Sequence, residues 1–322
     1  MIYFCSNKMS LQRLLGASLF GFAVLVFGLS MTSLVQASTN DPEPMTSLVQ
    51  ASANDPEPNR LRVMTYNIRF DNPADGVHAW PNRKELVASV IRFHKVDIIG
   101  VQEALEHQIQ DLMELLPGYD WVGVGRNEDG GGEFSAILYR SSVVTVKAAQ
   151  TFWLSESPAE PGSQSWDSSL PRIATWAHFV TSSEERELFV LNTHFDHRGE
   201  QARLESAHLI KEQTSKLANG LPVIVMGDLN ATSEQPPLAL LSDTPLPDGR
   251  SLHDGFVHSI APHHGPASTW TGFTKIEADR RIDYIFASED LPIHYHAILT
   301  DKLEDRYPSD HLPVLVEVGL ID

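Results

Sequence analysis

Cysteine is almost missing from this chain. Its 322 residues include one, Cys5, and that residue lies in a segment read below as removable. A mature protein without it has no disulfide and no thiol. Disulfide-stapled scaffolds, Cys-ligated metal sites and cysteine nucleophiles are therefore excluded. Basic residues are also scarce. Twenty-four Lys and Arg stand against 42 Asp and Glu, a net charge of −18. No basic stripe interrupts that balance, and such a surface repels nucleic-acid backbones at long range. A long nucleic-acid groove is therefore not indicated, although a bound divalent cation and a few arginines can still hold one phosphate. Long apolar runs are confined to one place, residues 14–29.

That run, "LLGASLFGFAVLVFGL", follows Lys8 and Arg13 and precedes the small residues of "LVQAS". The order is that of a secretory signal cleaved after Ala37, with Met9 as an alternative start. Removing residues 1–37 takes away Lys8 and Arg13 and no acid, so −18 becomes −20. Residues 14–36 are also just long enough to span a bilayer, so an uncleaved anchor is the alternative, and membrane attachment is expected only in that case. The stretch "MTSLVQASTNDPEP" (31–44) then repeats as "MTSLVQASANDPEP" (45–58) with one change. This duplication reads as a disordered spacer over 38–58 and places a second cleavage option at Ala51. Residues 59–322, about 264 of them, have no linker-like break and read as one domain of an exported protein, periplasmic or extracellular.

Within that domain strands and helices alternate. "LRVMTYNIRF" and "VDIIGVQEA" read as strands, with a helix in "PNRKELVASVIRFH" between them, capped by an Asn82–Glu85 box. "EALEHQIQDLMELLPG" reads as a helix, "DWVGVG" and "FSAILYR" as strands, and "ELFVLNTHFDH" as a strand. A long helix over "EQARLESAHLIKEQTSKLANG" leads to strands in "PVIVMGDLN", "RRIDYIFAS" and "HLPVLVEVGL". The pattern is α/β. Continuous apolar strands need cover on both faces, which two packed mixed sheets with helices outside would provide.

Six of these segments place an acid, amide or imidazole at the rim of an apolar strand: Asn67, Glu103, His194, Asp228 with Asn230, Asp283, and Asp310 with His311. Each has an ordinary explanation alone: a turn residue, a helix N-terminal acid, a core histidine, an Asx turn, or a structural ion pair of Asp283 with Arg281. Six coincidences at six strand ends do not. Strand ends on one sheet edge converge, and α/β folds bind ligands there. Glu103, Asp310 and the Asn67 amide oxygen are hard donors suited to Mg²⁺ or Mn²⁺. Asp228 and His311 are candidate bases for water, and His194 and Asn230 candidate donors to phosphoryl oxygens. Together they suit metal-assisted phosphoester hydrolysis.

"MTYNIR", "DIIGVQE", "LNTHFDH", "GDLNAT", "RIDYIF" and "YPSDHLPV", in that order, resemble the endonuclease/exonuclease/phosphatase superfamily over residues 61 to about 318. The resemblance implies a four-layer α/β sandwich and a Mg²⁺-dependent phosphoesterase. It implies Glu103 as main metal ligand with Asn67 and Asp310 in support. Asp228 would orient or deprotonate the attacking water, and Asn230 and His194 would hold phosphoryl oxygens. His311, paired with Asp283, would bind or protonate the scissile phosphate.

The substrate is less legible. Arg198, four residues after His194, and Arg172, at a strand start in "SWDSSLPRIATW", are the candidate substrate-binding arginines, while Asp196 departs from the basic pattern of deadenylase-like relatives. "GRNEDGGGEF" (125–134) lacks the Lys-Ser/Thr of a P-loop and reads as a flexible loop over the site. Trp270 and Phe273 could stack a base or sugar. The expected substrate is a small or terminal phosphoester, with a diester favoured; no obligate protein partner is indicated. A secreted nuclease is the alternative. A non-catalytic binding module on the same fold would be expected to lack Glu103, Asp228 or His311, and all three are present.

Overall fold

The computed structural model describes residues 59–320, so the expected signal segment and duplicated spacer lie outside the described residues. The described residues run β1 (Arg60–Asn67), α1 (Lys84–Phe93), β2 (Ile98–Gln102), α2 (Glu106–Leu115), β3 (Tyr119–Val122), β4 (Ile137–Arg140), β5 (Val144–Trp153) and β6 (Ile173–Thr181). They continue with β7 (Glu187–His194), α3 (Glu200–Ala218), β8 (Val223–Asp228), α4 (Pro236–Asp243), β9 (Leu252–Asp254), α5 (Gly255–His258), β10 (Asp283–Ser288), β11 (Ile293–Ile298) and β12 (Val314–Gly319).

The strands form two six-stranded sheets, β11-β12-β1-β2-β4-β3 and β5-β6-β7-β8-β10-β9. Each has one parallel pair near its middle, β1/β2 and β7/β8, among antiparallel neighbours. The side chains explain the layering. Successive residues of a strand point to opposite faces. In β1, Leu61 and Val63 enter the core between the sheets, while Met64 and Tyr66 face the layer that contains α1 and α2. In β8, Ile224 and Met226 join the same central core, and Val223 and Val225 pack with Ile210 of α3 and Leu241 of α4. Both faces of these strands are covered, hence the unbroken apolar runs in the sequence. The order helix, sheet, sheet, helix is the four-layer sandwich expected.

The expected cap at Asn82 does not form. Asn82 belongs to a 3₁₀ turn, Trp80–Asn82, and α1 begins after Arg83 without a side-chain cap. The Asn82 amide instead donates to Gly76 O at 3.3 Å. Half of a capping box occurs at α2, where Gln108 Oε1 accepts from Leu105 N at 3.1 Å and from Asp71 N at 2.8 Å, tying the loop after β1 to this helix.

A polar tie crosses the two sheets beneath their common edge. Asn192 of β7 is fully buried, and its Nδ2 donates to Val101 O and Ala136 O, both at 2.9 Å. Its Oδ1 accepts from Gln102 Nε2 at 2.6 Å. Gly100 makes the approach feasible, since a Cβ there would lie 2.6 Å from Asn192 Cγ. Replacing Asn192 with Ala removes the side-chain donor to Val101 O, while Ala136 O keeps its bond from Val101 N at 2.9 Å. We expect a loss of about 1–3 kcal/mol, read from urea unfolding; a loss below ~0.5 kcal/mol would show that the tie carries no stability.

A second polar pair joins buried His296 of β11 to half-buried His263. His296 Nδ1 is 2.8 Å from His263 Nδ1, and His263 Nε2 is 2.9 Å from Pro266 O. A neutral chain satisfies this: His263 donates to the carbonyl and accepts from His296. Burial, then the nearby His263 and Arg281, depress the His296 pKa to about 3. In the unfolded chain it titrates near 6.5, so the unfolded state takes up the proton first. Stability from this group is complete above pH 6.5 and falls by about 1.4 kcal/mol per unit as pH drops toward 3. Urea midpoints at pH 7, 5.5 and 4 should fall less steeply for His296→Gln than for the parent chain; parallel slopes would exclude His296 as the cause.

Candidate active site

The two parallel pairs end on the same edge of the sandwich. Asn67 closes β1 and sits opposite Gln102 at the end of β2. His194 closes β7 opposite Asp228, which closes β8, and Asp228 in turn faces Asp283 at the start of β10. Register alone thus lays His194, Asp228 and Asp283 side by side. Asp310 and His311 arrive from the other sheet, on the segment entering β12, where Ser309 Oγ donates to Asn67 O at 2.7 Å.

Glu103 follows β2 with a left-handed φ of +62°. It therefore does not open α2, which starts at Glu106, and the ordinary helix N-terminal role does not apply. Its Oε1 accepts from Asn67 Nδ2 at 3.1 Å and its Oε2 from Phe70 N at 3.2 Å. Asn67 Nδ2 also donates to Asp228 Oδ2 at 2.9 Å, so one amide bridges two carboxylates. The amide oxygen, expected to face a cation, accepts instead from Arg69 N at 3.0 Å. Two adjacent carboxylates draw the amide's N–H side toward them. Arg69 reaches both acids of the expected metal set, with Nη1 3.8 Å from Glu103 Oε2 and Nε 4.0 Å from Asp310 Oδ2. Burial, opposed by His311 and reinforced by the Glu103 charge, raises the Asp310 pKa.

His311 is clamped by two acids. Its Nδ1 lies 2.8 Å from Asp283 Oδ2 and its Nε2 3.7 Å from Asp228 Oδ2, and the Trp270 ring packs edge-on at 4.7 Å. Burial alone would lower its pKa, but Asp283 and Asp228 outweigh burial and raise it to about 10, so the imidazole is a cation. Asp228 is pushed the other way from an ordinary carboxylate, to about 7, by burial first and then by Asp283. Its Oδ1 accepts from Asn230 N at 2.9 Å, so the Asx turn does exist and orients the group. Asn230 itself has φ +46° and places Nδ2 3.1 Å from His194 Nε2 and 3.1 Å from Phe195 O. His194 Nε2 is also 3.4 Å from Asp228 Oδ2. Burial, then Arg172 and Arg126, hold the His194 pKa well below the usual range, so this imidazole is neutral.

Asp283 is not paired with Arg281. That guanidinium turns to Asp254 at 2.7 Å, leaving Asp283 to His311, with Oδ1 lacking any hydrogen-bond partner. Among the described residues, Asp228, Asp283 and His311 bring ligand-type atoms within 4.8 Å of one another. A cationic imidazole is a poor ligand. The better fit for a hard cation is the oxygen set of Glu103 and Asp310 beside Asn67, where two carboxylates share a single arginine.

Arg172 lies just before β6, buried beside His194, whereas Arg198 is exposed and stays outside the buried cluster. Arg198 supplies only its backbone N–H, which Asp196 Oδ1 accepts at 2.9 Å. Asp196 also accepts from Gly199 N and, from the loop before β6, Ser169 N and Oγ; burial would raise its pKa, but these bonds and the nearby Arg172 outweigh burial and lower it. The expected flexible loop at 125–134 is a hydrogen-bonded turn: Gly125 N meets Gly130 O at 3.0 Å, Arg126 N meets Glu133 O at 3.0 Å, and Arg126 pairs with Glu133 at 2.8 Å. Trp270 and Phe273 are already engaged, Trp270 by Arg280 and His311, Phe273 by a His78 ring stacked at 4.6 Å. Sequence reasoning missed Arg69, Arg126 and Glu133. Arg69, two residues after Asn67 in "NIR", was within reach of the motif; the other two gave no signal beyond flanking a glycine run.

A model of the Endonuclease/Exonuclease/phosphatase family matches residues 64–311. Among solved structures, a family protein from Bacteroides vulgatus is 35% identical, covering 81% of this chain and 99% of that one, with a TM-score of 0.77. A mannosyl-6-phosphatase from Bacteroides thetaiotaomicron is 34% identical, covering 81% of this chain and 100% of that one, with a TM-score of 0.74. An uncharacterised protein of Acanthamoeba polyphaga mimivirus is 26% identical over 277 residues, 80% of this chain and 99% of its own length.

Proposed function

The chain belongs to the endonuclease/exonuclease/phosphatase family, and on that footing we propose that it is a Mg²⁺- or Mn²⁺-dependent hydrolase of small or terminal phosphoesters, acting outside the cytoplasm. One observation carries the chemistry: a carboxylate tuned toward neutrality, Asp228, stands 3.7 Å from an imidazole held as a cation, His311. Titratable neighbours whose pKa values are driven apart divide into a base and an acid.

In this mechanism Asp228 accepts the proton of the attacking water. Asn67 Nδ2 and Asn230 N fix its two oxygens and so aim it. The water oxygen bonds to phosphorus, the bond from phosphorus to the ester oxygen breaks, the leaving alkoxide takes up a proton from solvent, and Asp228 returns its proton to solvent. His311, oriented by Asp283, faces the reaction with Nε2 and donates to the phosphoryl oxygen where charge builds. Asn230, 3.1 Å from neutral His194, would with it hold another oxygen in place. Glu103 and Asp310 would hold the cation, with Asn67 positioning Glu103, and the cation would supply Lewis-acid stabilisation of phosphoryl charge.

The mannosyl-6-phosphatase neighbour supports a small phosphorylated substrate. So does the acidic balance of the chain. A phosphate-release screen of the purified enzyme with Mg²⁺, over sugar phosphates, nucleotides, oligonucleotides and phospholipid head groups, should give turnover chiefly on the small esters. Efficient degradation of long DNA or RNA would favour the nuclease alternative, and no release from any ester would end the proposal. Export rests on residues 1–37, and the mature N-terminus should start near Ser38 or Ser52.

A further inference from the structure

Arg172 is a buried cation beside the reacting cluster that the mechanism above does not use. It is only 5% exposed. Its Nη2 meets His197 Nδ1 at 2.9 Å, and its Nε stands 3.6 Å from Asp196 Oδ2, beyond hydrogen-bond reach. Its Nη1 has no acceptor at all. A buried charged donor left unpaired is costly, and proteins seldom retain one without a use. The side chain lines a small cavity whose other polar walls are Arg126, Glu133, Ser135 and His194, with Phe134 and Ile173 as the apolar wall.

Three features define what this cavity accepts. It is directly beside the reacting cluster, because His194 belongs to both and sits 3.4 Å from Asp228. It carries two arginines: Arg126 is matched by Glu133 at 2.8 Å, whereas Arg172 has the longer 3.6 Å contact of its Nε with Asp196 Oδ2, an oxygen that also accepts from Ser169 N and Oγ. It is also tight, with space for about one water-sized atom and none for an alkyl chain.

We propose that this cavity seats a terminal, non-esterified phosphoryl oxygen, held by Arg172 Nη1, and that the protein therefore hydrolyses phosphomonoesters in preference to diesters. The inference rests on the phosphoesterase function above and departs from the diester favoured by sequence. A monoester carries close to two negative charges at neutral pH and has three free oxygens. One of them can enter the cavity while others remain for His311 and Asn230. A diester carries one charge and has one free oxygen fewer, and its second ester oxygen brings a carbon substituent that the cavity has no room for. A site built to hydrogen-bond one group discriminates strongly against the analogue lacking it.

The test compares p-nitrophenyl phosphate with methyl p-nitrophenyl phosphate on the full exported chain with Mg²⁺. The parent enzyme should prefer the monoester in kcat/KM by ~10²-fold or more, and inorganic phosphate should inhibit competitively. Arg172→Met should reduce the monoester-to-diester ratio by at least ~10-fold and raise the phosphate inhibition constant by a similar factor, with Arg172→Lys recovering part of both. Arg126→Met, which leaves Arg172 in place, provides a second variant should Arg172→Met fail to fold, and should shift the ratio in the same direction. A parent enzyme that prefers the diester, or variants that lose both activities equally, would overturn the inference while leaving the phosphoesterase function standing. Turnover of neither ester would overturn both.

Discussion

Asp228→Asn should lower kcat by about 10³-fold with the fold unchanged, and His311→Ala by roughly 10² or more. The asparagine keeps the shape of the carboxylate and its contact with Asn230 N but cannot accept a proton from water. His311→Ala removes the cation facing the phosphoryl group and leaves Asp283 buried without a counter-charge, so part of its effect will appear as lost stability. Because the two groups act on one event, the double variant should be little worse than Asp228→Asn alone. Steady-state kinetics on a chromogenic ester, with circular dichroism to verify folding, decides the matter. An Asp228→Asn enzyme within tenfold of the parent would remove this residue from proton transfer.

The second large effect concerns the cation. Excess EDTA should abolish turnover, and Mg²⁺ or Mn²⁺ should restore it. Glu103→Gln should weaken cation binding by about 10²-fold, because a neutral amide replaces one of two carboxylates available to a hard ion. Binding can be followed without any reaction. Mg²⁺ should raise the melting temperature of the parent chain, and that rise should nearly vanish in Glu103→Gln at the same concentration. Full activity in excess chelator would exclude a metal from the reaction, and an unchanged melting shift would move the ion away from Glu103.

What the sequence revealed, and what it withheld, has a physical basis. β1, β2, β7, β8, β10 and β12 are buried on both faces and close to the site, so each reads as an apolar run interrupted by a polar residue. β5 and β11 lie at sheet edges, and their exposed positions carry Lys147, Gln150 and Tyr295, which blurs the strand signal. The site residues were legible because covalent order fixes them at strand ends. Their partners were less so. Nothing in local sequence says that Asn67 turns its nitrogen to two acids, or that Arg281 prefers Asp254 to the adjacent Asp283. The cavity at Arg172 was illegible for a related reason: its walls come from the 126–135 turn, the entry to β6 and the end of β7, brought together only by tertiary packing.

The tie through Asn192 has one more implication. Asn67, Glu103, Asp310 and His311 ride on one slab of the sandwich, and His194, Asp228, Asn230 and Asp283 on the other. Catalytic competence is thus a property of the seam. A slip of about an ångström between the slabs would separate base from acid while every strand and helix stayed intact. Mild denaturant should accordingly silence the enzyme before any spectroscopic sign of unfolding, and stiffening the seam should protect turnover more than it protects the fold.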